Sequence, residues 1–195
     1  MLSADEVGRS LSGSLELLNR NAHALQHFPA SIDAFWRSFG AIVLTAPAFV
    51  ITLAADRVRL GLPLQEGLFS DPGLVVLRLF AAGLAWITFP ILMIAVVRWL
   101  GLGHRYVRFV VAYNWTAVVV SALLAVPSAL YAMGFASYAL STLYFTAFAV
   151  ITFQMRWFLA KAALGVSGGL AALIALVDLG LYGLFGSLFA VVVSA

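Results

Sequence analysis

The sequence predicts an all-α integral membrane protein, a bundle of five transmembrane helices preceded by an N-terminal amphipathic helix. Three observations carry this reading. Of 195 residues, 64% are hydrophobic and 10% charged, where a soluble domain carries about a quarter charged residues. The mean hydropathy is +1.05, so water is not the main solvent of this surface. The apolar residues come in runs of roughly 20, the length that crosses a ~30 Å hydrocarbon layer as a helix. The same runs lack the two-residue alternation of a barrel strand, which excludes a β-barrel. There is no cysteine, so disulfides and thiolate metal sites are excluded too. The excess of basic over acidic residues, 11 against 8, is too small for a nucleic-acid patch.

Residues 1–30 read as a polar arm. Ser3 and Glu6 fit a capping box, which satisfies free amides at a helix start. Val7, Leu11, Leu15, Leu18, Ala22 and Leu25 recur at helical steps, and Pro29 ends the pattern. The stripe predicts an amphipathic helix that packs on the bundle, lies at the headgroups or binds a partner. No basic start followed by an apolar core is present, so no signal peptide is expected.

Residues 31–195 form the membrane domain. Ser31 can cap the first span, about 32–55, which contains Pro47. Residues 56–71 read as a loop. The stretch "SDPG" then starts a helix, with Asp71 as cap and Pro72 in its first turn. The second span is about 72–100, the third about 106–131, and a short turn at Met133–Gly134 leads to a fourth, about 135–158. The last stretch, 162–193, is long for one span. Glycines 180, 183 and 186 allow a break near Asp178, but two halves would each be too short to cross, so one long helix is expected.

The basic residues orient the chain. Arg9, Arg20, Arg37, Arg98, Arg105, Arg108, Arg156 and Lys161 fall on one side of a five-span layout, and Arg57, Arg59 and Arg78 on the other. Loops rich in Lys and Arg stay cytoplasmic. The N-terminus is therefore expected in the cytoplasm and the C-terminus across the membrane, in a bacterial inner membrane. In "GLGHRYVRFVVAYNW", His104, Arg105 and Arg108 make a basic turn suited to acidic lipid headgroups.

Few patterns point to chemistry. "GVSGG" matches the G-x-S-x-G of serine hydrolases, but Ser167 opens an apolar helix and no histidine follows it; His104 would have to serve as base. Gly165 and Gly169, four apart, instead suit close helix approach. His23 and His27 share a helical face, with Glu16 as a conceivable third ligand, yet they read as solvated, and neither metal nor cofactor is expected. Asp178 is the one acid after Asp71 and falls within an apolar run. A carboxylate there must face protein or water, or carry its proton. Asn114, Gln154 and Tyr113 are its expected partners. Asn114 itself is expected to bond to a neighbouring helix.

A polar arm stands before five spans, with "DAFWRSFGAIVLTAP" at the first, "HRYVRFVVAYNW" opening the middle one and "KAALGVSGGLAALIALVDL" opening the last. This layout resembles the Yip (Ypt/Rab-interacting protein) family of five-span membrane proteins. The resemblance implies a non-enzymatic membrane protein with a cytoplasmic arm. The expected function is contact with the lipid bilayer, anionic lipids, a membrane-protein partner or a second copy, and no nucleic acid. Arg105, Arg108, His104, Gly165 and Gly169 are the candidate contact residues. The alternatives are a small proton- or cation-linked transporter using Asp178 and, more remotely, an intramembrane serine hydrolase at Ser167.

Overall fold

A computed structural model describes residues 3–194, and these residues are helical with no strand among them. Helix α1 (Ala4–Leu18) forms the arm. Helices α2 (Ile32–Ser38) and α3 (Ala46–Arg59) make the first span, joined by a 3-10 stretch at Phe39–Thr45. Helices α4 (Pro72–Trp99), α5 (Tyr106–Ala132), α6 (Tyr138–Leu164) and α7 (Gly168–Ser194) follow. Five segments of 26 to 30 residues are long and apolar enough to cross a membrane. A 28-residue helix spans ~42 Å, more than the ~30 Å core. Large apolar side chains point outward along these helices, among them Val76, Phe80, Ile87 and Ile91 on α4 and Leu173, Leu176, Leu184 and Leu188 on α7. Such a coat is the reverse of a water-facing surface. This is a multi-pass membrane protein.

Helix α5 is the axis. Its residues Phe109 to Ala117 are buried without interruption, which requires neighbours on every side. Helices α1, α2, α3, α4 and α6 pack against it, while α7 packs on α4 and α6. Each helix starts or stops for a local reason. Asp71 accepts from the Leu74 amide at 3.0 Å, and Ser137 caps α6 through the Leu140 amide at 3.2 Å. Gly165 ends α6 in the left-handed region at φ +66°. Ser167 accepts from the Leu170 amide at 3.3 Å, at the start of α7.

Four sequence expectations change. The arm is not one helix to Pro29: α1 stops at Leu18, Arg20 turns the chain at φ +60°, and Ala22–His27 is a 3-10 segment. Its buried face is Ser10, Gly13, Ser14 and Leu17, and Leu15 is exposed. The small residues win because they let the 3-10 segment fold back. A Cβ on Gly13 would lie 2.8 Å from the His27 Cβ. Pro47, expected inside one continuous helix, sits in the first turn of α3, where its missing N–H costs least. Helix α3 runs on to Arg59, and α6 runs on to Leu164, which carries Arg156 into the helix. The last helix, by contrast, is unbroken through Asp178 and Gly180 as expected, though it starts at Gly168 and not at 162.

The arm belongs to the same core as the spans: Leu17, Ala24 and Phe28 pack with Phe109, Val111 and Trp115. Glu6 reaches Arg37 at 3.4 Å, tying α1 to α2. Gly13→Leu is expected to undock the arm, whereas Gly8→Leu, which meets open space, is not. Limited trypsin cleavage at Arg20 in mild detergent measures this, with several-fold faster cleavage expected for the Gly13 variant alone.

Candidate functional site

Three polar side chains meet inside the bundle. Tyr113 stands seven residues into α5, Arg156 eight residues before the end of α6, and Asp178 ten residues into α7. Helix rise puts them ~10, ~12 and ~15 Å below the same end of the bundle. Arg156 Nε lies 3.1 Å from Asp178 Oδ2. The Tyr113 hydroxyl donates to Asp178 Oδ1 at 2.7 Å. Arg156 Nη1 donates to the Tyr113 carbonyl at 3.1 Å and to the Thr116 hydroxyl at 2.8 Å. The guanidinium lies 4.0 Å from the centroid of the Tyr113 ring, a cation–π distance. The other face of that ring system is occupied by Phe89 of α4, stacked at 4.8 Å. Arg156 is 5% exposed and Asp178 8%. The two charges are matched in sign, and Arg156 Nη1 and Asp178 Oδ1 are hydrogen-bonded to α5, while the buried Arg156 Nε faces Asp178 Oδ2 as an ion pair without hydrogen-bond geometry; charge matching is one condition under which a buried pair is tolerated.

The cluster is the floor of a cavity of about 460 Å³ lined by α3 to α7, within the range of ligand clefts, about 300–1,000 Å³. One face of α5 runs its length: Tyr113, Ala117, Ser121, Leu124, Ser128 and Tyr131, at steps of three and four. Ala81, Ala82 and Ala85 of α4 leave the space that larger side chains would fill. The far end carries Asp56, Arg59, Arg78 and Tyr138. There Arg78 Nε lies 3.3 Å from Asp56 Oδ2, and Arg59 sits 5.6 Å from the centroid of the Tyr138 ring. Arg59 and Tyr138 are exposed at this end, Ala82, Tyr182 and Gly186 are exposed partway along, and Arg156 at the other end is buried. Trp86, another lining residue, keeps its Nε1 buried without a hydrogen-bond partner.

Of the expected partners of Asp178, Tyr113 is in place. Asn114 points elsewhere, donating to Ser38 of α2 at 2.9 Å. Gln154 is half-buried on α6, outside the cluster. Arg156 takes the role the sequence reading left open, because α6 extends past it. Two signals could have found it: Gly165 as the helix stop, and an arginine flanked by Phe153, Met155, Trp157 and Phe158.

The other candidate residues gather at the arm end. Arg105 Nη1 donates to the Leu164 carbonyl at 2.6 Å, capping the end of α6. Its Nε donates to His104 Nε2 at 3.3 Å. Arg108 is exposed. Gly165 lies under the Arg105 guanidinium, which a Cβ would strike; Gly169 is exposed with open space around it. The Trp157 indole donates to the Gly168 carbonyl at 2.9 Å and closes the same turn. His27 pairs with Glu16 at 3.3 Å, on the arm. Neither a family model, nor a curated protein, nor a solved structure matches this chain.

Two predictions test this geometry by thermal unfolding in detergent. Arg156→Met leaves Asp178 buried and unpaired and is expected to cost about 3–5 kcal/mol, whereas the double variant Arg156→Met/Asp178→Leu should return close to the parent stability. Gly165→Ala forces a side chain into the left-handed region and against Arg105. It should cost about 1–2 kcal/mol, part of it recovered by adding Arg105→Ala.

Proposed function

We propose that this protein is a non-enzymatic membrane protein of Yip-like layout that holds an amphiphilic molecule in its five-helix cavity. It acts through lipid and partner contacts, not through catalysis. The observation that carries the reading is the cavity itself. It has a length of apolar and hydroxyl-bearing wall and a polar floor, which is the mixed lining of a small-molecule site. The pairing of Asp178 with Arg156 favours an electrically neutral floor over a bare cation site. The basic residues support an orientation with the arm, Arg98, Arg105, Arg108 and Lys161 in the cytoplasm of a bacterial cell. The Arg59–Arg78 end of the cavity then lies on the opposite face. His104, Arg105 and Arg108, with the exposed turn at Gly165 and Gly169, are the surface offered to anionic headgroups or to a partner.

Native mass spectrometry of protein purified in mild detergent tests the cavity. The expected result is a bound amphiphile that survives purification and is lost in Ala85→Trp, which fills the space, while the melting temperature stays near that of the parent. Parent protein that carries no adduct and binds no added amphiphile would overturn the reading.

A further inference from the structure

The floor of the cavity has donors to spare. Arg156 Nε is in ion-pair contact with Asp178 but makes no hydrogen bond, and Nη1 donates to the Tyr113 carbonyl and the Thr116 hydroxyl. Its Nη2 has no hydrogen-bond partner among the described residues and is not one of the sealed, unpartnered atoms. Arg156 and Tyr113 line the cavity, whereas Asp178 stands behind them and does not. A molecule reaching the floor therefore meets the guanidinium before the carboxylate.

Charge balance restricts what can bind. The resting cluster is neutral, one arginine against one aspartate. An anion that docks on Arg156 would leave two negative groups sharing one positive group in a buried site, which costs several kcal/mol. The cluster returns to neutrality if Asp178 gains one proton. One arginine and one acid therefore match a single negative charge.

We infer that the cavity floor binds a monoanionic carboxylate on Arg156 together with one proton on Asp178. This rests on the cavity-binding function proposed above and names its ligand chemistry. In the exchange the ligand carboxylate takes the Arg156 donors, the Arg156–Asp178 ion pair opens, and a proton from solvent bonds to an Asp178 carboxylate oxygen. No covalent bond to carbon forms or breaks. Protonated Asp178 keeps an acceptor oxygen for the Tyr113 hydroxyl, so Asp178 stays held between α5 and α7. The groups that face Asp178 are Arg156 of α6 and Tyr113 of α5. On α4, packed against the other side of α7, Arg78 is engaged with Asp56 at the far end and Arg98 is exposed at the arm end. Tyr182 stands one turn further along α7 itself. The ion pair at the floor is thus the one charge that the ligand and the proton both act on.

Titration calorimetry on detergent-purified protein, in buffers of different ionisation enthalpy, tests this with decanoate, propionate and the neutral 1-decanol. Decanoate is expected to bind about tenfold tighter than decanol, the margin of a charge-assisted hydrogen bond, with uptake of about one proton per ligand. Asp178→Asn is expected to bind decanoate at least as tightly, without proton uptake. Arg156→Met/Asp178→Leu, which removes the pair together, should keep decanol binding and lose the decanoate advantage. Propionate separates the sources of the carboxylate: weak binding points to a fatty tail filling the cavity, and binding as tight as decanoate, again with one proton, points to a small free acid. Decanoate no tighter than decanol, no proton taken up by the parent, or a double variant that binds decanoate like the parent would each overturn the inference. If decanol binds and only the anion preference is missing, the cavity function stands without it; if neither ligand binds, both fall.

Discussion

A guanidinium withdrawn from water has to be matched in charge and in hydrogen bonds, and Arg156 is the group on which this architecture turns. It is 5% exposed within a bundle whose outer surface is hydrocarbon-like. Its match is drawn from two other helices, the Asp178 carboxylate on α7 and the Tyr113 carbonyl with the Thr116 hydroxyl on α5. Between helices in lipid there is no hydrophobic driving force, since lipid tails are as apolar as leucine. Polar contacts and close packing then set which helices meet and at what depth. The Tyr113–Asp178 bond joins α5 and α7, which otherwise reach each other through α4 and α6.

The cavity follows from this constraint. On the arm side of the cluster, α5 is enclosed by α1, α2, α4 and α6, and Phe109 to Trp115 are buried on all faces. Beyond the cluster the wall residues shrink to Ala117, Ser121 and Ser128 on α5 and to the alanines of α4. Along the cavity Val120, Leu124 and Met155 tie α5 to α6, and at the far end Leu53, Leu74 and Phe189 join α3, α4 and α7. Two tied ends and a small-residue middle leave a space between them. The arm contributes to the closed end: its docking over Trp115 and Val111 leaves only a cavity of ≈ 30 Å³ there, about the share of one water molecule.

Most of the fold was legible in the sequence, because hydrocarbon thickness and backbone hydrogen bonding leave few choices. The five apolar runs, the Asp71–Pro72 helix start and the single long last helix follow from those two constraints. The arm was legible in part: Val7, Leu18 and Leu25 of the periodic stripe do pack on the core, while Leu15 is exposed. The fully buried positions are Ser10, Gly13, Ser14 and Leu17, because the close approach of His27 requires a glycine at position 13. Asp178 stood out as an unmatched intramembrane acid, and Tyr113 was among its expected partners. Arg156 did not stand out, since an arginine near a span end reads as a topology signal until the helix is carried on to Gly165. The cavity itself was not legible. Small residues along one face of a helix look the same whether another helix fills the space beside them or nothing does.

The cavity runs from the Arg59–Arg78 face and stops at Arg156. The chain has no cysteine, so single cysteines can be placed along α5 without background. An impermeant thiol reagent applied from the Arg59–Arg78 face of oriented vesicles reads the depth directly. Cysteines at Ser128, Ser121 and Ala117 should react, progressively more slowly, and a cysteine at Phe109, below the floor, should not. Equal reaction at Phe109 and Ser121, or no reaction at any of the three lining positions, would contradict the account.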